Sequence, residues 1–160
     1  MSHDHPTLRM ALVGCGAIAR VHVPAIREGA PAIAIAAVVD TDPARAAVMA
    51  RETGAPAFSN LRAALAAVEF EAVDLMLPHH LHELVACEAF AAGKHVLLEK
   101  PLAPTLDACA RILAAARQAG TVFMVAENAQ YWPEVLTARR LRAAGAIGDI
   151  ITARASFAIP

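Results

Sequence analysis

Aromatic side chains are scarce. One Trp, one Tyr and five Phe make up 4% of a chain whose hydrophobic fraction is 58%. A core built on large rings is therefore not available. The apolar content must come from alanine and branched aliphatics, which suit closely packed helices and buried strands. Cysteine is sparse too. Cys15, Cys87 and Cys109 are odd in number and contain no Cys-x-x-Cys pair. That argues against a disulfide framework or a cysteine zinc site and suits a reducing, cytoplasmic setting. An excess of either charge is missing: 14 Lys and Arg stand against 15 Asp and Glu, for a net charge of −1. Nothing here favours nucleic acid or an anionic membrane as a partner. The apolar stretch 30–39 is too short for a membrane span and contains Pro31. The first residues lack a basic region followed by an apolar core, so they do not read as a secretory signal, and His3 and His5 are expected on a loose tail. A chain of 160 residues has room for one domain with a sizeable core.

The stretch that is present, and around which the rest is arranged, runs from Leu8 to Ala19. Its apolar part, Leu8 to Val13, has the length and composition of a buried strand. It ends in Gly14-x-Gly16-x-x-Ala19. Gly14 permits a sharp turn, Gly16 lets a pyrophosphate approach the backbone, and Ala19 lets the following helix pack closely on the sheet. That helix start offers N–H groups and a positive dipole end to an anion. An ordinary tight strand-to-helix turn is the plain alternative. The context favours a dinucleotide site, because the next apolar run ends in Asp40, an acid placed to accept hydrogen bonds from an adenosine ribose. A carboxylate there accepts from a free 2′-hydroxyl and repels a 2′-phosphate, so NAD is expected over NADP.

The rest of the chain alternates. The spacing predicts helices over 17–28, 44–53, 60–68, 81–92 and 105–119, and strands over 32–39, 57–58, 73–77, 95–98 and 121–126. Pro24 falls inside the first helix and is expected to kink or split it. Asp42 is a candidate N-cap with Pro43 at the first helical position, and Ser59 or Asn60 caps the third helix. This order argues for a doubly wound, mostly parallel α/β sheet over residues 1–127. Residues 128–160 differ. A helix over 133–144 and a turn at Gly145 to Gly148 lead into an expected strand over 149–157, which reads as the start of a second, α+β domain.

In a doubly wound sheet, ligands sit beyond the carboxyl ends of the strands. Three loops meet there: Gly14 to Ala19, Pro78 to His82, and Glu99 to Pro101. Lys100 therefore points toward the same crevice as the glycine turn, where it can donate to a substrate oxygen or relay a proton, with Glu99 beside it. The plain alternative for both is a solvated loop charge. His79, His80 and His82 do not place two imidazoles at i and i+4, so no metal site is expected. His22 is expected to pack against the sheet, and Arg45 to be a surface charge.

Taken together, Gly14-x-Gly16-x-x-Ala19, Val38-Val39-Asp40, Pro78-x-x-x-His82, the run Ala92 to Leu102 with Glu99-Lys100-Pro101, and Asn128 ahead of Trp132-Pro133 resemble the N-terminal, Rossmann part of the Gfo/Idh/MocA oxidoreductases. The resemblance implies that Gly14, Gly16, Ala17 and Ile18 hold a pyrophosphate and Asp40 the ribose. It implies that Leu77, Pro78, His79 and His82 line the cofactor crevice. Glu99 and Lys100 would lie near the nicotinamide, Lys100 as the catalytic lysine, and Asn128 at the domain junction. Two positions depart from the pattern: Leu77 stands where the family usually has a small or hydroxylated residue, and His79 where it often has asparagine. The family's substrate domain, with its catalytic Asp and His, has no counterpart here. The chain is therefore expected to be the cofactor domain of an NAD(P)-dependent sugar or cyclitol dehydrogenase, itself a homo-oligomer acting on a small polyol. The competing expectation is a dinucleotide-binding module without turnover. A methyltransferase-like fold ranks below both, since Glu99-Lys100-Pro101 has no task in that chemistry.

Overall fold

Apolar runs alternating with alanine-rich helical stretches bury both only when the strands lie parallel and the helices cover the two faces. The computed structural model, which describes residues 7–156, has that arrangement. Its strands are β1 (Leu8–Val13), β2 (Ile33–Val39), β3 (Ala57–Phe58), β4 (Ala72–Leu75), β5 (His95–Leu98) and β6 (Phe123–Val125). Every pairing is parallel, in the order β3-β2-β1-β4-β5-β6. The chain winds outward from β1 to β3, then returns past β1 to lay down β4. That reversal opens a crevice at the carboxyl ends of β1 and β4.

The connections are α1 (Ala19–Gly29), α2 (Pro43–Thr53), α3 (Leu61–Ala67), α4 (His82–Ala91) and α5 (Leu106–Ala119). On one face of the sheet, Val13, Val73, Leu75 and Leu98 are buried with Leu61, Phe90 and Ile112 from α3, α4 and α5. On the other, Leu12 and Val38 meet Val23 of α1 and Met49 of α2. Ala64, Ala86, Ala89, Ala108 and Ala116 are all buried. Methyl-sized contacts bring these helices close to the sheet, which is how a core forms with so few rings.

Several boundaries move for local reasons. The first helix starts at Ala19, not 17, because Ala17 and Ile18 belong to the turn. Pro24 neither ends nor splits it. Both Pro24 and Arg20, whose carbonyl loses its helical donor, are exposed, so water can satisfy that oxygen. Asp42 caps α2, its Oδ1 accepting from Ala44 N at 2.9 Å. The cap of α3 is Asn60, whose Oδ1 accepts from Ala63 N at 2.9 Å, rather than Ser59. The fourth strand ends at Leu75, and a single 3-10 turn, His79–Leu81, precedes α4.

The chain divides into two compact units, between Ala126 and Glu127. The second contains a 3-10 turn (Asn128–Tyr131) and α6 (Pro133–Ala143), with Pro133 in the first helical turn. The expected strand over 149–157 does not form within the described residues: 149–156 are exposed and join no ladder. A strand is held by the donors and acceptors of a neighbour, and none of the described residues supplies them. Phe157, like His3 and His5, lies outside the described residues.

Candidate functional site

The turn that leaves β1 depends on its first glycine. Gly14 has φ +98°, and a Cβ built there would overlap the carbonyl oxygen of Met76. Only glycine fits. Gly16 differs: a Cβ there meets nothing within 4 Å. Its missing side chain leaves space open to the crevice rather than relieving the fold. No side chain caps the start of α1; Arg20 N and Val21 N donate to Ala17 O and Ile18 O, and the positive end of the helix still favours an anion there. Ala17 and Ile18 are exposed at this helix start.

Asp40 ties this turn to β2. Its Oδ2 accepts from Cys15 N at 2.8 Å and its Oδ1 from Asp42 N at 2.8 Å. Each oxygen keeps a second lone pair for a ligand. Burial and the neighbouring Asp40 charge push the Cys15 thiol up to about 11, so it stays protonated and unreactive.

A cavity of about 390 Å³ lies at the reversal point, lined by Gly14, Gly16, Asp40, Leu77 and Pro78 among the expected residues. Arg45, Ser59, Asn60 and Leu81 line it as well. Arg45, expected as a plain surface charge, thus borders the cavity near Asp40. Its Nε donates to Asp42 Oδ2 at 2.9 Å, and that bond holds the Asp42 carboxyl below its ordinary range.

His82 departs from the expectation that it lines the crevice. It is fully buried. Nε2 lies 2.9 Å from Leu77 O and Nδ1 3.0 Å from Pro101 O. The ring therefore bolts the loop after β4 to the loop after β5 and has no surface left for a ligand. His79 is exposed and meets the His82 ring edge-on, with centroids 5.5 Å apart. Lys100 is exposed, immediately after β5, and the Lys100–Pro101 peptide is cis. Asn128 is exposed in the second unit.

Sequence reasoning missed one constellation. His22 on α1 packs against the sheet as expected, but on a charge. Its Nδ1 lies 2.7 Å from Oδ2 of Asp74, and its Nε2 lies 3.1 Å from Oε1 of Glu99. The signal was present in the run Val73-Asp74-Leu75-Met76: a carboxylate in the middle of a buried strand needs a partner. Among the described residues, no group of three or more His, Cys, Asp or Glu is arranged to hold a metal ion. No helix among them is long and apolar enough to cross a membrane.

The glycine turn and the parallel, doubly wound sheet agree with what a comparison of the sequence finds. Residues 8–127 match the profile described as oxidoreductase family, NAD-binding Rossmann fold (GFO_IDH_MocA). The chain belongs to the Gfo/Idh/MocA oxidoreductases. Within this family it is 32% identical over 158 residues to levoglucosan dehydrogenase of Pseudarthrobacter phenanthrenivorans, covering 94% of this chain and 40% of that relative. It is 32% identical over 150 residues to inositol 2-dehydrogenase of Corynebacterium glutamicum, covering 92% of this chain and 44% of the relative. The fold matches that of the WlbA dehydrogenase from Bordetella pertussis, solved in complex with NADH and UDP-GlcNAcA. There the TM-score is 0.85 at 30% identity, over 89% of this chain and 41% of the other. The chain spans less than half the length of these relatives. What it shares with other Gfo/Idh/MocA members is the NAD-binding Rossmann domain.

Proposed function

We propose that this chain is the cofactor half of an NAD-dependent oxidoreductase that acts on a CH–OH group of a sugar or cyclitol. The observation that carries the reading is the cavity at the reversal point, which brings together Gly14, Gly16 and Asp40. Gly16 admits a pyrophosphate to the head of α1. Asp40 offers its remaining lone pairs to the ribose hydroxyls. Leu77 and Pro78 form the apolar wall opposite. When bound, NAD accepts the hydride. The chain's own contribution is to orient it and to present Lys100, which serves as the proton-handling group. Taking a hydride from a carbinol carbon leaves a hydroxyl proton to be moved, and an amine within hydrogen-bond reach can move it.

The named relatives support the substrate class, since they are inositol and levoglucosan dehydrogenases. Residues 128–160 are read as the connection to a substrate domain, with Asn128 at the junction. A cytoplasmic, homo-oligomeric parent acting on a small polyol belongs to the same proposal. The 160 residues alone are expected to bind NAD with little or no turnover, because holding substrate and cofactor in register supplies several kcal/mol of barrier lowering and needs a second wall. The test has two stages. Calorimetric titration of the chain with NAD+ and NADP+ should show binding, with NAD+ tighter. A parent-length protein assayed on a polyol panel should turn over, and its Lys100→Ala variant should lose at least about 100-fold in kcat. An unimpaired Lys100→Ala parent removes the lysine from the mechanism.

A further inference from the structure

Three ionisable side chains from separate elements meet behind the loop that carries Lys100. Asp74, in the middle of β4, is fully buried. Its Oδ2 lies 2.7 Å from Nδ1 of His22. The other ring nitrogen, Nε2, lies 3.1 Å from Oε1 of Glu99. The second oxygen of Glu99 accepts the main-chain N–H of Lys100 at 3.0 Å. The imidazole thus has a carboxylate at each nitrogen. A ring carrying both protons donates to both partners, whereas a neutral ring turns one lone pair toward a carboxylate. The small cavity beside the ring is otherwise apolar, with Met10, Ile26, Ile33 and Leu97 in its wall. Asp74 and Glu99 are therefore the titratable groups that face His22.

We propose that His22 is a positioning residue: anchored by Asp74, it fixes the Glu99 carboxylate, which holds the Lys100 main chain and so sets where the lysine side chain starts. The role assigned to Lys100 rests on the functional reading above.

Two features support this beyond simple packing. The other oxygen of Asp74, Oδ1, is buried and has no hydrogen-bond partner. Among the described residues, His22 is thus the one side chain seen to satisfy this carboxylate, and a space-filling ring would not replace it. The His22 pKa is raised above its ordinary value of 6.5, first by the hydrogen bond from the ring to Asp74 and further by Glu99, against the opposing effect of burial. The shift favours the ring that carries both protons and donates to Asp74 and Glu99 together. Position matters here because misplacing a reacting group by about 1 Å can cost about 100-fold in rate.

The experiment is a pH titration of the isotopically labelled full chain by NMR, following the His22 ring carbons and the Lys100 amide together. His22 should titrate above an unperturbed histidine, and the Lys100 amide should shift with the same midpoint. In Glu99→Gln the His22 midpoint should fall and the Lys100 amide should stop following it, while the remaining amide spectrum stays that of a folded domain. In His22→Gln the Lys100 amide should exchange faster with solvent. A Lys100 amide that ignores the His22 titration in the unsubstituted chain overturns the proposal, as does an unchanged Lys100 amide in Glu99→Gln. These readouts need no ligand, so NAD+ titration of the same samples reports separately on the functional reading.

Discussion

The carboxylate of Asp40 accepts the main-chain N–H of Cys15 at 2.8 Å, joining the acid that ends β2 to the glycine turn that ends β1. With its other oxygen on Asp42 N, Asp40 is a latch for the turn as well as a partner for ribose. Asp40→Ala is therefore expected to weaken NAD+ binding and to lower stability by about 1–2 kcal/mol. Urea unfolding and calorimetry on the same variant separate the two effects. Unchanged stability would mean that the latch carries no load.

Arg45 borders the cavity but is held by Asp42. Releasing it should favour a 2′-phosphate, since a guanidinium binds phosphate well once its own carboxylate is gone. Asp42→Ala is expected to tighten NADP+ binding while leaving NAD+ nearly unchanged, and so to narrow the preference for NAD+. The double substitution Asp42→Ala, Asp40→Ala should narrow it further. Parallel fluorescence titrations with NADH and NADPH measure the ratio. No movement in it would place Arg45 out of reach of the ribose.

The two glycines of the turn should fail differently. Gly14→Ala forces a side chain into a positive-φ position against the Met76 carbonyl and should destabilise the domain by roughly 3 kcal/mol or more. A Cβ at Gly16 meets no protein atom within 4 Å, so Gly16→Val should fold normally and lose NAD+ affinity. Thermal unfolding and cofactor titration on both variants give the pattern. A Gly16→Val protein that still binds NAD+ with full affinity would place the pyrophosphate elsewhere.

His82 is fully buried, with its ring nitrogens 2.9 Å from Leu77 O and 3.0 Å from Pro101 O on two loops; a neutral ring donates to one of these carbonyls at a time. His82→Ala removes that bond, strands the carbonyl and leaves a cavity. A loss of about 3 kcal/mol in urea unfolding is expected. An effect below about 1 kcal/mol would show that the loops hold without the bolt.

The His22 pKa is raised in the folded state. The folded protein therefore binds the proton more tightly than the unfolded chain does. Its contribution to stability is complete below the unfolded value of 6.5 and is lost as pH rises through the higher folded value. The Tm difference between the unsubstituted chain and His22→Gln should accordingly be largest in mildly acidic buffer and shrink on the alkaline side. A difference that is flat across this range would mean that His22 is not charged in the fold.

Much of this molecule is legible one residue at a time. Leu8 to Val13, the glycines after it, Asp42 with Pro43, and the glycines closing α2, α4 and α5 are local signals. Each reports a turn, a cap or an apolar run whose physics involves only chain neighbours, and the element order follows from them. Membership in the Gfo/Idh/MocA family is legible for the same reason, since its motifs are short and lie on the loops between elements. The strand expected over 149–157 shows the limit. Partial alternation is a local property, but a strand exists only where another backbone lies alongside it.

The site divides in the same way. Gly14, Gly16 and Asp40 are legible in the sequence as neighbours of one crevice because loop position and residue type suffice, and all three line the cavity; Glu99 and Lys100 are not among its lining residues, and their part in the site is proposed above. That Gly14 answers to the Met76 carbonyl while Gly16 answers to open space is not legible, because the difference lies in what stands opposite each. His82 looked like a crevice residue by its place after Pro78, and the fold buries it instead between two loops far apart in the chain. Asp74 and Glu99 lie 52 and 77 positions from His22 along the chain. No period or motif links them. They meet because β4 lies between β1 and β5, with α1 crossing the face on which Asp74 points, and a buried carboxylate is tolerated only where the packed sheet brings it a proton donor.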